Sequence, residues 1–269
     1  MIREEYIEVM VVFVVVFRAL LRYTLLKRRD FFMRNFNIQD CILYEDGEIL
    51  VCHKPAGIAV QNARLGMTDM ENSLKNYLAL KNPGKIPYLG IIHRLDQPVE
   101  GVLVFAKTQK AASELNRQIT AKTVTKEYLA VTAQMPDEKQ GHLEDYLKKD
   151  SRTNSSSVVA SKTPGAKKAI LDYCVQEEIK DERIKSGKKI LVKIALDTGR
   201  HHQIRVQMAH KGMPLLGDRK YNAKDLSGLP LGLCSCHLAF RHPVTGKKME
   251  FKTAPKGEAF TGFQTLWIA

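Results

Sequence analysis

The sequence contains no apolar run long enough to cross a membrane. Its longest, VMVVFVVVF at residues 9–17, is nine residues, where a spanning helix needs about 20. A secretory signal can be that short, but Glu4, Glu5 and Glu8 precede the run, the basic cluster Lys27-Arg28-Arg29 follows it, and no small-residue cleavage site comes after. Neither membrane insertion nor export is expected. Also missing are a G-x-x-x-x-G-K-[ST] phosphate loop and a G-x-G-x-x-G dinucleotide fingerprint, so nothing points to nucleotide-driven or hydride-transfer chemistry. Cysteine is scarce: there are five, an odd number, several inside apolar runs, which fits a reducing cytoplasm. Cys234-Ser235-Cys236-His237 has no second ligand pair at zinc-finger spacing, and strand alternation accounts for it. His201, His202 and His210 lack a carboxylate at a fitting spacing. No metal and no cofactor are therefore expected. Internal repeats and heptads are absent as well.

What the chain has in excess is positive charge, 42 Lys+Arg against 29 Asp+Glu, a net +13. Residues 39–269 carry most of it, with 35 basic and 25 acidic side chains. Each neutralised phosphate releases condensed counterions and adds affinity whatever the base sequence, so a polyanion, nucleic acid first, is the expected partner. Residues 1–38 do not match the rest. Residues 1–32 are expected to be a dispensable extension, with Met33 as an alternative start, and residues 39–269 to form one domain with an ordinary core, 44% of the chain being hydrophobic.

Within 39–269 the pattern predicts two short strands over Ile42–Pro55 joined at Glu45-Asp46-Gly47-Glu48. It predicts a helix over Ser73–Ala79, an apolar strand over Gly101–Ala106, and a helix over Gln109–Thr120 with Ala111, Ala112, Leu115 and Ile119 on one face. Lys126–Val131, Ala169–Glu177 and Ile190–Leu196 read as strands, Gln203–Lys211 as a helix, and Leu233–Phe240 with Lys248–Phe251 as a closing hairpin. The polar stretch Lys148–Lys168 reads as an exposed loop or hairpin. Many strands with few helices predict an α+β fold: a mixed, largely antiparallel twisted sheet with flanking helices.

Two segments carry chemistry. Asp96 sits in a turn after a strand with Arg94 two residues away; taken alone, this fits an aspartate bonded to its own turn better than a working carboxylate. The second segment, Thr198-Gly199-Arg200-His201-His202-Gln203-Ile204-Arg205, places two arginines beside a turn glycine at a helix start. Such a cluster can hold an anion, and a nucleophilic aspartate in a partly dry site needs a nearby cation to stay ionised.

His93-Arg94-Leu95-Asp96 resembles the signature of the RluA-like family of pseudouridine synthases. Lys54-Pro55-Ala56-Gly57 is similar to its KPAG motif, Lys126-Glu127-Tyr128-Leu129-Ala130 to its KxYxA strand, and Thr198 to Arg205 to its TGRTHQIR element. Gly217-Asp218 with Tyr221, His237-Leu238, and His242-Pro243 with Gly246 follow in the family's order. The likeness spans roughly residues 40–255, and five motifs in order are highly specific. Two departures stand out: Val99-Glu100 replaces the usual Thr-Ser, and His201 replaces a threonine.

The resemblance implies an isomerase that turns uridine in structured RNA, ribosomal or transfer, into pseudouridine without cofactor or metal. It implies Asp96 as the essential carboxylate, Arg205 as the cation that keeps it charged, and Tyr128 as the side chain stacked on the target base. Arg94 would fill the gap left by the flipped nucleotide, with Arg200, His201, Lys54 and Lys126 as further RNA contacts. Glu100 would add negative charge near Asp96. No S4-type domain fits before residue 40, so the catalytic domain is expected to find its RNA alone, as a monomer. A noncatalytic RNA-binding or assembly factor on the same fold, and a hydrolase that releases the base, remain competing readings.

Overall fold

The computed structural model describes residues 36–62 and 68–267. The chain separates into two compact units, Met1–Asp40 and Cys41–Ala269, and the second carries the sheet. The expected extension lies almost entirely outside the described residues.

Eleven strands form one sheet: β1 (Ile42–Glu45), β2 (Ile49–Lys54), β3 (Gly90–Ile91), β4 (Glu100–Ala106), β5 (Thr125–Thr132), β6 (Gln140–Asp150), β7 (Ser155–Val158), β8 (Lys167–Lys180), β9 (Lys188–Leu196), β10 (Leu233–Arg241) and β11 (Lys248–Lys252). Their order is β1-β2-β4-β10-β5-β9-β8-β6-β7, with β3 on β4 and β11 on β10. Among the described residues three helices, α1 (Met70–Lys81), α2 (Gln109–Thr120) and α3 (Gln203–His210), accompany it. The expected α+β class, with a mostly antiparallel sheet, is what the fold shows.

Local chemistry explains the boundaries. In the β1–β2 turn the Asp46 carboxylate accepts the amides of Glu48 and Ile49, both at 2.8 Å, an Asx arrangement that closes the hairpin. Asp69 caps α1 by accepting from the Asn72 amide at 2.8 Å, and Thr108 caps α2 through the Ala111 amide at 3.1 Å. These caps start α1 three residues before the expected Ser73. In α2, Ala111, Ala112 and Leu115 are buried as expected and pack with Ile49, Val51, Val102, Val104, Leu238 and Phe240. A second core joins β5, β9 and β10 to the carboxyl-terminal Phe260, Phe263 and Leu266. Cys234 and Cys236 belong to that core, so the Cys-Ser-Cys-His segment is a buried strand, as alternation predicts.

The polar stretch after Lys148 is a hairpin rather than a loop: β6 runs on to Asp150 and β7 pairs back on it from Ser155. The sequence pattern does not reveal β6, because only Leu143 and Leu147 of its eleven residues are buried, too few to set an alternation.

One pairing positions the site. Among the described strands only β4 and β10 run parallel, Glu100 beside Cys234 and Gly101 beside Ser235. Ser235 in turn faces Tyr128 of β5. Gly101 stands at φ +125, and a Cβ there would lie 2.3 Å from the Ser235 carbonyl oxygen. Only glycine allows β4 to approach β10 this closely. The chain just before β4, which carries Asp96, is thereby set at the middle of the sheet, with Tyr128 two strands away.

Candidate active site

Asp96 lies in a turn closed by the Val99 amide on the Asp96 carbonyl, 3.0 Å. This turn is tied to the Lys54–Gly57 segment from three directions. The Gly57 amide donates to the Gln97 carbonyl at 2.8 Å, the Gln97 side chain donates back to the Gly57 carbonyl at 3.0 Å, and Lys54 Nζ donates to the Gln97 carbonyl at 3.1 Å. Lys54 Nζ also donates to the carbonyls of Pro55 at 2.9 Å and Ile58 at 2.7 Å. Lys54 is 0% exposed, so the expectation that it contacts RNA is corrected: its ammonium is spent on three carbonyls, of which that of Gln97 belongs to the Asp96 turn. Burial pulls this lysine down to about 7, against the opposing charges of Asp96 and Glu100.

Arg205, in the first turn of α3, meets Asp96 across 109 positions of sequence. Its Nη1 donates to Asp96 Oδ2 at 3.2 Å, while Nε and Nη2 fork onto the two oxygens of Asp218 at 2.8 and 2.7 Å. Asp218, 1% exposed, also accepts the amides of Lys220 and Tyr221 at 3.0 and 3.1 Å. Burial works against the charge on Arg205, but the bonds and charges of Asp218 and Asp96 outweigh it and hold the guanidinium above its ordinary range. Burial likewise opposes charge on Asp218, and Arg205 and the two amides overcome it, keeping the carboxyl below its ordinary range. A bidentate fork fixes the guanidinium plane, so the third nitrogen can only point at Asp96.

His202 Nε2 stands 3.5 Å from the same Asp96 Oδ2. Among the described residues, nothing bonds Oδ1. The Asp96 side chain is 26% exposed, so a carboxylate with one anchored and one open oxygen faces accessible space.

Tyr128 is 7% exposed. Burial, the largest influence, raises its phenol; the Ser235 hydroxyl lowers it and the Asp96 charge adds to the rise, and the result lies well above the usual range. It keeps its proton at neutral pH. Arg94 is exposed, two residues from Asp96. Lys126 is half-buried, with Nζ 3.7 Å from where a Cβ on Gly199 would stand, and burial lowers it. Arg200 is exposed but engaged, its Nε donating to the Lys168 carbonyl at 2.8 Å. Gln203 clasps this loop by accepting from the Thr198 hydroxyl at 2.8 Å and the Arg200 amide at 2.9 Å. His201 stacks on His202 with ring centres 3.8 Å apart and shares a 2.9 Å hydrogen bond with Ser156 Oγ.

Glu100 does not turn toward Asp96 as the sequence suggested. It is buried, and its oxygens accept the amides of Lys256 at 3.0 Å and Gly257 at 2.8 Å, with His53 Nε2 at 3.5 Å. The sequence motifs contain Asp218, Tyr221 and His202 without indicating what they do; their place beside Arg205 in the fold is what reveals it. No group of His, Cys, Asp or Glu among the described residues is arranged to hold a metal ion, and no described helix is long and apolar enough to cross a membrane.

Comparison with known proteins identifies the family to which the chain belongs. The family model for RNA pseudouridylate synthase matches residues 48–210. A Bacillus subtilis protein, uncharacterized RNA pseudouridine synthase YlyB, is 34% identical over 216 residues, 78% of this chain and 67% of that protein. The ribosomal large subunit pseudouridine synthase D of Zymomonas mobilis is 32% identical over 243 residues, 85% of this chain and 73% of that one. In fold, human RNA pseudouridylate synthase domain containing 4 superposes with a TM-score of 0.64 at 21% identity, covering 81% of this chain and 90% of that chain. The class so defined is an isomerase that converts uridine in RNA to pseudouridine. The chain belongs to the RNA pseudouridylate synthase family, in its RluA-like branch.

Proposed function

We propose that this chain isomerises specific uridines of large-subunit ribosomal RNA, with Asp96 as the reacting carboxylate, Arg205 as its fixed counter-cation and Tyr128 as the stacking platform. The substrate reading rests on relatives named as ribosomal large subunit pseudouridine synthases and on the chain's net +13. The single observation behind the roles is the Asp96–Arg205–Asp218 array. One Asp96 oxygen is anchored at 3.2 Å by a guanidinium that Asp218 locks in plane, and the other is open.

In the reaction the N1–C1′ bond breaks, the base turns, and C5 bonds to C1′; C5 gives up its proton and N1 ends with one. Asp96 acts through its open oxygen, while Arg205 holds the other and supplies the facing positive charge where water is partly excluded. Because burial holds the Tyr128 phenol protonated, Tyr128 can accept the C5 proton only by passing on its own. The uridine must first leave its stack, at a cost of a few kcal/mol. Arg94, exposed two residues from Asp96, would occupy the vacancy, and Arg200, His201 and Lys126 would add contacts to the RNA.

Asp96→Ala is expected to abolish pseudouridine, read by a chemistry that marks it in ribosomal RNA, while fold and RNA binding persist. Product from that variant would overturn the assignment, and an abasic product from the wild type would point instead to a hydrolase.

A further inference from the structure

Behind Asp96 lies a chain of hydrogen bonds that the roles above do not use. It begins at the backbone of Ser156, a residue of β7 that is 6% exposed. The Ser156 amide donates to Tyr221 Oη at 2.8 Å, and Tyr221 Oη stands 2.7 Å from His202 Nδ1. His202 Nε2 then faces Asp96 Oδ2 at 3.5 Å.

Proton counting gives this chain a direction. A phenol has one hydrogen to donate and a neutral imidazole has one N–H and one bare nitrogen. Tyr221 Oη already accepts the Ser156 amide, and among the described residues His202 Nδ1 is the acceptor within reach of its own hydrogen. The Tyr221 phenol keeps that hydrogen, since burial raises it above its ordinary range. Nδ1 is therefore the bare nitrogen. The imidazole is neutral, because burial lowers it to about 4 although the charge of Asp96 opposes this. Its hydrogen sits on Nε2, aimed at the carboxylate.

The backbone around His202 carries the mark of a position held in place. His202 is at φ 55, ψ 23, a left-handed conformation that a non-glycine residue keeps only where the surroundings insist. Those surroundings are the stacked His201 ring at 3.8 Å, itself bonded to Ser156 Oγ, and the edge of Tyr221 at 5.6 Å. Ser156 thus braces both histidines. The β6–β7 turn is bound to the same region, with Lys220 Nζ donating to the carbonyls of Thr153 at 3.1 Å and Asn154 at 2.7 Å.

We propose that His202 is a positioning residue for Asp96, held as the Nε2–H tautomer by the chain Ser156 amide, Tyr221 hydroxyl, His202 imidazole. Arg205 and His202 together fix Oδ2 from two sides and leave Oδ1 the oxygen that reacts. The 3.5 Å approach closes to a full hydrogen bond when RNA is seated, as such contacts tighten in the bound state. The proposal rests on the reading of Asp96 as the reacting carboxylate.

The decisive variant is Tyr221→Phe, which removes one oxygen and keeps the ring that Arg205 covers at 5.1 Å. Two measurements test it. Nitrogen-15 NMR of histidine-labelled wild-type protein should show the His202 signal as neutral with the proton on Nε2, and in Tyr221→Phe as a mixture of tautomers. In turnover with a ribosomal RNA fragment, Tyr221→Phe should lower kcat by roughly ten-fold while KM moves less than about two-fold, the pattern of an interaction used in the transition state. His202→Gln, which restores an N–H donor near Nε2, should retain more kcat than His202→Ala. A wild-type His202 protonated on Nδ1, or an unchanged kcat in Tyr221→Phe, would overturn the proposal. The tautomer is read on the folded wild type, so the test survives a variant that does not fold. A wild type that forms no pseudouridine would instead remove the reading of Asp96 and leave the tautomer result standing.

Discussion

Replacing Asp218 by asparagine probes the support of the site without touching the residue that reacts. Asp218 Oδ1 takes three donors, Arg205 Nη2 and the amides of Lys220 and Tyr221, and Oδ2 takes Arg205 Nε. Asparagine can keep the first three on its carbonyl oxygen. Its amide nitrogen then faces the Arg205 Nε–H, so one charge-assisted bond is replaced by two opposed donors, and a buried guanidinium loses its full counter-charge. Breaking a buried pair from one side costs about 3–5 kcal/mol, and the retained carbonyl places Asp218→Asn at the low end, about 3 kcal/mol. With a urea slope of about 2–3 kcal/mol/M, the midpoint should fall by roughly 1 M or more. Arg205, freed from its fork, no longer presents Nη1 to Asp96 at a fixed angle, and kcat should drop by at least about ten-fold, since small misplacements are costly. The pH dependence follows from the lowered folded pKa of Asp218. Its stabilisation is fully present above the unfolded value of about 4 and is lost as pH falls through the folded value. The stability gap between wild type and variant should therefore be constant near neutrality and close in acid. Urea melts at a series of pH values with pseudouridine assays on the same samples provide the check. An unchanged midpoint at pH 7, or a gap that widens in acid, would refute the reasoning.

Three further outcomes are expected. Lys54→Met keeps the bulk but deletes the hydrogen bond to Gln97 in the Asp96 turn and two more to Pro55 and Ile58 of its own segment, so activity should fall with RNA affinity retained in a filter-binding assay. Because the folded Lys54 sits near 7, below the unfolded value of about 10.4, the unfolded state holds the extra proton between those values. Wild-type stability relative to Lys54→Met should thus rise from pH 7 toward pH 10 in thermal melts. Glu100→Ser removes the acceptor for the Lys256 and Gly257 amides and should cost about 1–3 kcal/mol of stability, with turnover per folded molecule unchanged in a chemical-denaturation and activity comparison. Arg94→Ala should leave the unfolding midpoint alone and weaken RNA binding, reducing the slope of log affinity against log salt by about one phosphate's worth.

The sequence by itself determined the family, the α+β class and the pair Asp96 and Arg205, because each was written in a short contiguous motif or a local period. His93 to Asp96 and Thr198 to Arg205 are each read within one stretch of chain, and hairpin, cap and amphipathic signals act over a few residues. What only the tertiary structure decided was where side chains point once distant segments meet. Lys54, basic and set in a motif, reads as a phosphate contact; buried under the Asp96 turn, it bonds three carbonyls. Glu100, four positions from Asp96, reads as its neighbour; β4 alternation turns it toward residues 256–257 instead. His202 and Tyr221 look like pattern residues until Ser156, on a strand the sequence hid, supplies the amide that orders them. Burial and hydrogen-bond partners are properties of the assembled sheet, above all of the parallel β4–β10 contact that Gly101 permits, and no local signal encodes them.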